Sequence, residues 1–324
     1  MNSHKKHIIG WATAFFCAFL LLAASRLLFI QSVAVHNTGM SNTLLPGDFV
    51  FINKIIYGAR LPNTPLSIPY TDVYSEKVQL PYLRFPGKGI ILRNDMIALN
   101  YPLDTLLPPD RRPIQIKRLI AIPGDTIQMN RKEVYVNARH IIHNDVKYAF
   151  IVKFLNEKDA VSLIEKYKLS EGGMLNEKGV YKFFLTQQEA NELEKKSGIR
   201  SVRLWNETST PDYIFNSRHN PCKWNHDNFA PIIVPRAKLT LPINLETIGA
   251  YETIITFYEH NSLEIKDSMI LINKAPTAFY TFRNNYYFVM DDNRDNANDS
   301  RNWGFLPEEF IIGKATRIMF SIDF

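Results

Sequence analysis

The spacing of apolar and polar residues changes character along the chain. From Ile8 to Ser25 no residue is charged and Ala, Phe and Leu dominate. At ~1.5 Å per residue this predicts a helix of about 27 Å, just long enough to cross a bilayer core. Lys5 and Lys6 precede it, with His4 and His7. Arg26 follows, ahead of the apolar Leu27 to Ile30, and a long cation there snorkels to the headgroups. Basic residues before the span place the N-terminus in the cytoplasm and everything after about residue 30 outside it. The alternative is a cleavable leader ending at the small residues Ala23-Ala24-Ser25, and either reading exports the rest of the chain.

Beyond the span the period shortens to that of strands. Phe49 to Tyr57, Asp95 to Asn100, Ile114 to Ile122 and Glu133 to Asn137 predict strands, the first preceded by a Pro46-Gly47-Asp48 turn. Arg60 to Gly89 contains Pro62, Pro65, Pro69, Pro81 and Pro86, which predicts an extended surface loop. Between about Val146 and Val202 a helical period appears over Glu157 to Leu169 and over Gln187 to Lys196. Thr186 with Glu189 has the form of a capping box for the second helix. Strands resume at Ile232 to Val234, Lys238 to Leu241 and Ser268 to Asn273. The expected architecture is mainly β: a tail and anchor over 1–30, a β-rich domain from 31–145 and 232–324, and an α+β lobe inserted over 146–231.

Composition narrows the function class. A chain of 324 residues that is 46% hydrophobic buries a sizeable core. The net charge of +6 suits an anionic lipid surface. No zinc-finger spacing, helix-turn-helix pattern or Lys/Arg-rich block supports a nucleic-acid partner. The two cysteines are Cys17, inside the apolar span, and Cys222, so no structural disulfide is expected. The eight histidines show no ligand spacing, and no metal or other cofactor is expected.

Four short blocks carry the candidate chemistry. The first is Val35-His36-Asn37-Thr38-Gly39-Met40-Ser41-Asn42-Thr43-Leu44, followed by Gly47-Asp48. The second is Arg93-Asn94-Asp95 with an apolar strand and Pro102. The third is Lys117-Arg118, three further residues and Ile122, then Pro123-Gly124-Asp125. The fourth is the polar run Met290-Asp-Asp-Asn-Arg-Asp-Asn-Ala-Asn-Asp-Ser-Arg-Asn-Trp-Gly304. In this order, behind an apolar span, they resemble signal peptidase I, the membrane-bound serine/lysine endopeptidase that removes signal peptides from exported proteins. The resemblance implies that family's β fold with an inserted lobe, a single-pass anchor in the cytoplasmic membrane, and signal peptides of preproteins and the lipid bilayer as partners. It makes Lys117 the general base, a role that requires a neutral amine in apolar surroundings. Asp299 and Arg301 match residues that brace the family's site, and Met40 and Arg118 also stand at matching positions.

Three positions depart from the family pattern. The nucleophilic Ser is Gly39, the Gly after Met290 is Asp291, and the Ser two residues before Asp299 is Ala297. Asn37 stands where the family often has a Ser near the oxyanion; its amide is either such a donor or the cap of its own turn. Ser41 is the nearest hydroxyl on the same face if the segment is extended, about 6.5 Å beyond position 39. Three expectations stay open: a catalytically impaired homologue that binds signal peptides by strand addition, an active enzyme using Ser41 with Lys117, or an unrelated membrane-anchored β protein with a structural role.

Overall fold

The computed structural model describes residues 3–67, 71, 73–143, 145–175, 178–206, 214–219 and 222–322. Parts of the proline-rich stretch (68–70 and 72) and of the expected lobe (176–177, 207–213 and 220–221) lie outside these residues, as do the side chains of Lys5 and Lys6. The chain is mainly β, with a long N-terminal helix, and divides into two compact units.

The first unit comprises residues 1–35, 47–116 and 309–324. Its helix runs Ser3–Leu28, and the part long and apolar enough to cross a membrane is Ile9–Leu28, which reaches past the uncharged stretch to include Arg26. Lys54 donates to the carbonyls of Arg26 (2.9 Å) and Leu27 (3.5 Å), satisfying acceptors that a helix C-terminus leaves open. Burial, and then Arg60 and Arg26, push the Lys54 amine down to about 8. Strands Ile30–Ala34, Asp48–Asn53, Ile311–Ser321 and Met96–Asn100 lie side by side in that order, antiparallel throughout. Val50, Ile52, Ile97, Leu99 and Ile311 fill their buried face. The strand expected to reach Tyr57 stops at Asn53, whose side-chain oxygen accepts the Ile55 N–H and turns the chain. Described residues of Arg60 to Gly89 form no helix or regular strand, as the prolines imply, and Arg84 tethers them by donating to the carbonyls of Gly58 and Ile311.

The second unit comprises residues 36–46 and 117–308. An aromatic core of Phe215, Phe229, Tyr251, Phe282, Tyr286, Phe288 and Phe305 holds it together. Against this core lies the sheet Phe229–Ile233, Thr126–Asn130, Glu133–Val136, Arg139–His140. The turn after Thr126–Asn130 places Arg131 and Lys132 at positive φ, the geometry that matches the twist of a two-residue hairpin. A helix over Ile248–Thr253 that continues as a wider turn to Tyr258 has no counterpart in the sequence pattern, because Ile248, Gly249, Ala250, Tyr251, Ile254 and Ile255 are buried on all sides and leave no amphipathic stripe.

A separate core lies within the same unit between Tyr148 and Val202. Strands Ile199–Leu204, Lys147–Phe154, Val180–Thr186 and Gly172–Met174 form its sheet. The expected helix over Glu157 to Leu169 is shorter, Ala160–Lys166 after a tight turn at Glu157–Asp159. Helix Gln187–Glu194 begins at the predicted capping box: Thr186 accepts the Glu189 N–H and Glu189 accepts the Thr186 N–H. Thr186→Ala should therefore lower stability by about 1 kcal/mol, measured as a shift in the urea midpoint.

Candidate active site

The site grows from one strand pair. Ile114–Ala121 runs antiparallel to Tyr286–Met290, with Leu119 opposite Val289 and Arg118 opposite Met290. Adjacent residues on a strand face opposite ways, so Lys117 and Arg118 each meet a different member of the acidic pair that follows Met290. Lys117 Nζ donates to both carboxylate oxygens of Asp291, at 2.7 and 2.6 Å. Arg118 grips Asp292 through two bonds, Nε to Oδ1 at 2.7 Å and Nη2 to Oδ2 at 2.6 Å. Two consecutive cations on one strand are thus matched to two consecutive carboxylates beyond the end of the other.

The Lys117–Asp291 pair is closed off from solvent, each residue being 1% exposed. Asp291 Oδ2 also accepts the Asn298 N–H at 3.0 Å. Burial, opposed by Lys117 and reinforced by Asp299, pushes the Asp291 carboxyl above the usual carboxylate range. For Asp292 burial also works against ionisation, but the hydrogen bonds and charge of Arg118 win and hold its carboxyl low.

Gly39 lies directly against this pair. A Cβ added there would sit 2.8 Å from Asp291 Cγ and from both carboxylate oxygens, well inside van der Waals contact. The Asp291 carboxylate therefore fills the volume that a side chain at position 39 would need. The small residue at 39 and the large one at 291 thus share a single space.

The segment around Gly39 is a series of tight turns, and the extended geometry considered for Ser41 does not occur. Ser41 N–H donates to the Thr38 carbonyl, while the Thr43 and Leu44 N–H groups both donate to the Met40 carbonyl. Asn293 docks this segment, its N–H donating to the Gly39 carbonyl at 2.8 Å and its amide to the Thr38 carbonyl at 3.3 Å. The fully buried Ser41 hydroxyl donates to Glu171 Oε2 at 3.0 Å and accepts from the Asn293 amide at 3.0 Å. Glu171 in turn pairs with Lys147 at 3.4 Å. Asn37 is exposed, and its side-chain oxygen accepts the Gly39 N–H at 3.2 Å, an Asx turn. Met40 is buried beneath the turns.

Asp299 and Arg301 form the floor. Asp299 caps the short helix Ser300–Trp303, accepts from Arg301 Nε and Nη2 at 3.0 and 2.8 Å, and takes the Asp291 N–H at 3.0 Å. Burial opposes its charge, yet Arg301 and these donors hold its carboxyl at about 2. Because the folded value lies below the ordinary 3.8, the stabilisation is complete above about pH 4 and disappears as pH falls through about 2. It amounts to about 2 kcal/mol. An Asp299→Asn variant should be less stable at neutral pH and should lose less of its remaining stability than the parent over that acid window, read from urea midpoints at successive pH values.

The sequence singled out Lys117, Arg118, Gly39, Ser41, Asp299 and Arg301, and all of them lie in this unit within one network of contacts. Sequence reasoning noted Asp291 only as a departure and missed it as the partner of Lys117. It missed Asp292, Asn293 and Glu171 altogether. The adjacency of two acids behind Met290 and two bases at 117 and 118 was the available signal for Asp291 and Asp292.

The sequence model of the family described as signal peptidase, peptidase S26, matches residues 8–195 and 252–320. Among relatives, the chain is 25% identical over 326 residues to signal peptidase I of Buchnera aphidicola subsp. Schizaphis graminum, covering 99% of this chain and 77% of the relative. It is 24% identical to signal peptidase I of Aquifex aeolicus, over 90% of this chain and 76% of the relative. Signal peptidase I of Pseudomonas aeruginosa is 22% identical over 97% of this chain and 73% of its own length. With that model matched across most of its length, the chain belongs to the signal peptidase family, peptidase S26.

Proposed function

We propose that this chain is a membrane-anchored signal peptidase I homologue in which the Ser/Lys chemistry is disabled, and that it binds signal peptides or extended segments of exported proteins without cutting them. The observation that carries this reading is the bidentate contact of Lys117 with Asp291 in the space beside Gly39. A general base must offer a lone pair to a hydroxyl within about 2.6 to 3.2 Å. Here Lys117 donates to both oxygens of the Asp291 carboxylate, and position 39 has no hydroxyl. The lysines ahead of the apolar helix support a topology with the N-terminus in the cytoplasm and the residues beyond the helix on the extracytoplasmic side of the cytoplasmic membrane. Extended clients would add by main-chain hydrogen bonding, with alternate side chains read by small pockets.

The second reading is an active endopeptidase with Ser41 as nucleophile and Lys117 as base. It is favoured by one feature: the Ser41 hydroxyl is buried and donates to a carboxylate, Glu171. That carboxylate, rather than Lys117, is the acceptor in reach.

The full chain in detergent should bind a fluorescent signal peptide with Ala at the first and third positions before the cut, raising its anisotropy saturably while the peptide stays whole. Loss of binding in the parent would overturn the binding role. Turnover abolished by both Ser41→Ala and Lys117→Ala would establish the second reading instead.

A further inference from the structure

Within the second unit, strands Lys147–Phe154, Gly172–Met174, Val180–Thr186 and Ile199–Leu204 alternate with helices Ala160–Lys166 and Gln187–Glu194 in the order β-α-β-β-α-β. In the sheet the first strand lies between the fourth and the third. This split arrangement gathers both helices on one face of the sheet. Ala160, Ala190 and Leu193 of the helices share a core there with Phe150, Val152 and Phe183. The alternate strand positions point to the other face. Ile151 stands there with Lys182 and Arg203 as its cross-strand neighbours. One pair along, Ala149 lies opposite Phe184 and takes the Trp205 N–H on its carbonyl at 2.8 Å.

This second face is open to solvent. Ile151, Lys182 and Phe184 are half-buried, Arg203 is exposed, and Trp205 is 41% exposed. The face is also one-signed, because the four strands contain Lys147, Lys153, Lys182, Arg200 and Arg203 but no Asp or Glu. Lys147 is matched by Glu171. Lys182 lies over the rings of Phe184 and Trp205, 5.6 and 5.4 Å from their centroids, and neither it nor Arg203 pairs with a carboxylate among the described residues. Asp227 and Asp295, which line a cavity beside Lys182, are both held by Lys132. With one strand between them, Lys182 and Arg203 stand about 10 Å apart on either side of Ile151.

We propose that this open sheet face docks an acidic segment of a partner protein, with Lys182 and Arg203 each taking a carboxylate and Ile151 and Trp205 receiving the apolar side chains between them. Charge complementarity selects the partner: an accessible ammonium and an accessible guanidinium around an apolar centre suit carboxylates interspersed with apolar residues. The rings of Phe184 and Trp205 are turned to the Lys182 ammonium rather than left clear for base stacking, which favours a peptide over single-stranded nucleic acid. Signal peptides begin with a positively charged region, so this face is not where they would bind. The surface uses neither Lys117 nor position 39 and stands independently of whether the chain cleaves or binds signal peptides.

The test is fluorescence anisotropy on the full chain in detergent with three labelled probes: an amidated peptide alternating Glu with Leu and Gly, the same peptide with Gln for Glu, and a deoxythymidine octamer. The expected result is a saturable rise with the Glu peptide that weakens as salt is added, and binding of the Gln peptide at least tenfold weaker. Lys182→Met and Arg203→Gln should each weaken the Glu peptide about tenfold, the size of one charge-assisted hydrogen bond. Both positions face away from the core under the helices, so each variant should keep the parent's urea midpoint. Absence of saturable binding by the Glu peptide, equal affinity for the Gln peptide, or unchanged affinity in both variants would overturn the assignment. So would the octamer binding as tightly as the Glu peptide, which would make the face a nucleic-acid surface instead.

Discussion

The double variant Gly39→Ser/Asp291→Gly is expected to cleave a preprotein that the parent leaves whole, whereas Gly39→Ser alone is expected to remain silent. A serine Cβ at position 39 would lie 2.8 Å from three atoms of the Asp291 carboxylate, which is itself fixed by Lys117 and by the Asn298 N–H. Its hydroxyl would have no room. Removing the carboxylate clears that volume and leaves a buried amine without a counter-charge, a situation that favours the neutral form a general base requires. Loss of one member of a serine-protease triad removes on the order of a millionfold in rate, so even partial recovery should exceed the parent by about a thousandfold. Restoring Ala297 to Ser should add a smaller increment. Equal rates for the double variant and the parent, in a gel assay of preprotein processing, would contradict the proposal that Gly39 and Asp291 together disable the chemistry.

Asp291→Ala and Lys117→Ala are each expected to cost about 3 to 5 kcal/mol in stability, because each leaves one buried charge unpaired. Both partners are 1% exposed, so water cannot take over the lost contact. The apolar replacement Lys117→Met/Asp291→Leu should cost much less than the sum of the two alanine changes, since it removes both desolvation penalties together. Urea midpoints of the three variants test this, and single changes costing under about 1 kcal/mol would show that the pair is not a tightly held ionic contact. The gain of cleavage expected above should accordingly come with a loss of stability.

Much of this arrangement is legible in the sequence. The N-terminal helix follows from an uncharged stretch whose length matches a bilayer, and the strand holding Lys117 follows from an apolar run bounded by turn residues, whereas the strand Tyr286–Met290 was not read from the sequence. The Thr186 to Glu189 cap was read from two residues three apart, because its physics is local. What escaped the sequence was non-local. Lys117 and Asp291 are 174 positions apart and meet only through the register of an antiparallel pair. Ser41 and Glu171 are 130 apart and meet only in the folded second unit, where Glu171 reaches the turns around Gly39. Those turns were missed as well: a Thr-Gly-Met-Ser-Asn run fits an extended or a turned backbone, and Asn293 decides for the turns by donating to the Gly39 and Thr38 carbonyls. Gly39 and Asp291 were each noticed in the sequence, but only the structure shows the Asp291 carboxylate in the space that a side chain at 39 would need.

Mass spectrometry of a preprotein after prolonged incubation with the parent chain, in detergent and at neutral pH, bears most directly on the idea that Asp291 occupies Lys117 and the nucleophile's space. The expected result is recovery of the preprotein intact, with processing appearing only in the Gly39→Ser/Asp291→Gly chain. A parent chain that releases a correctly trimmed product, and stops doing so on Lys117→Ala, would contradict it.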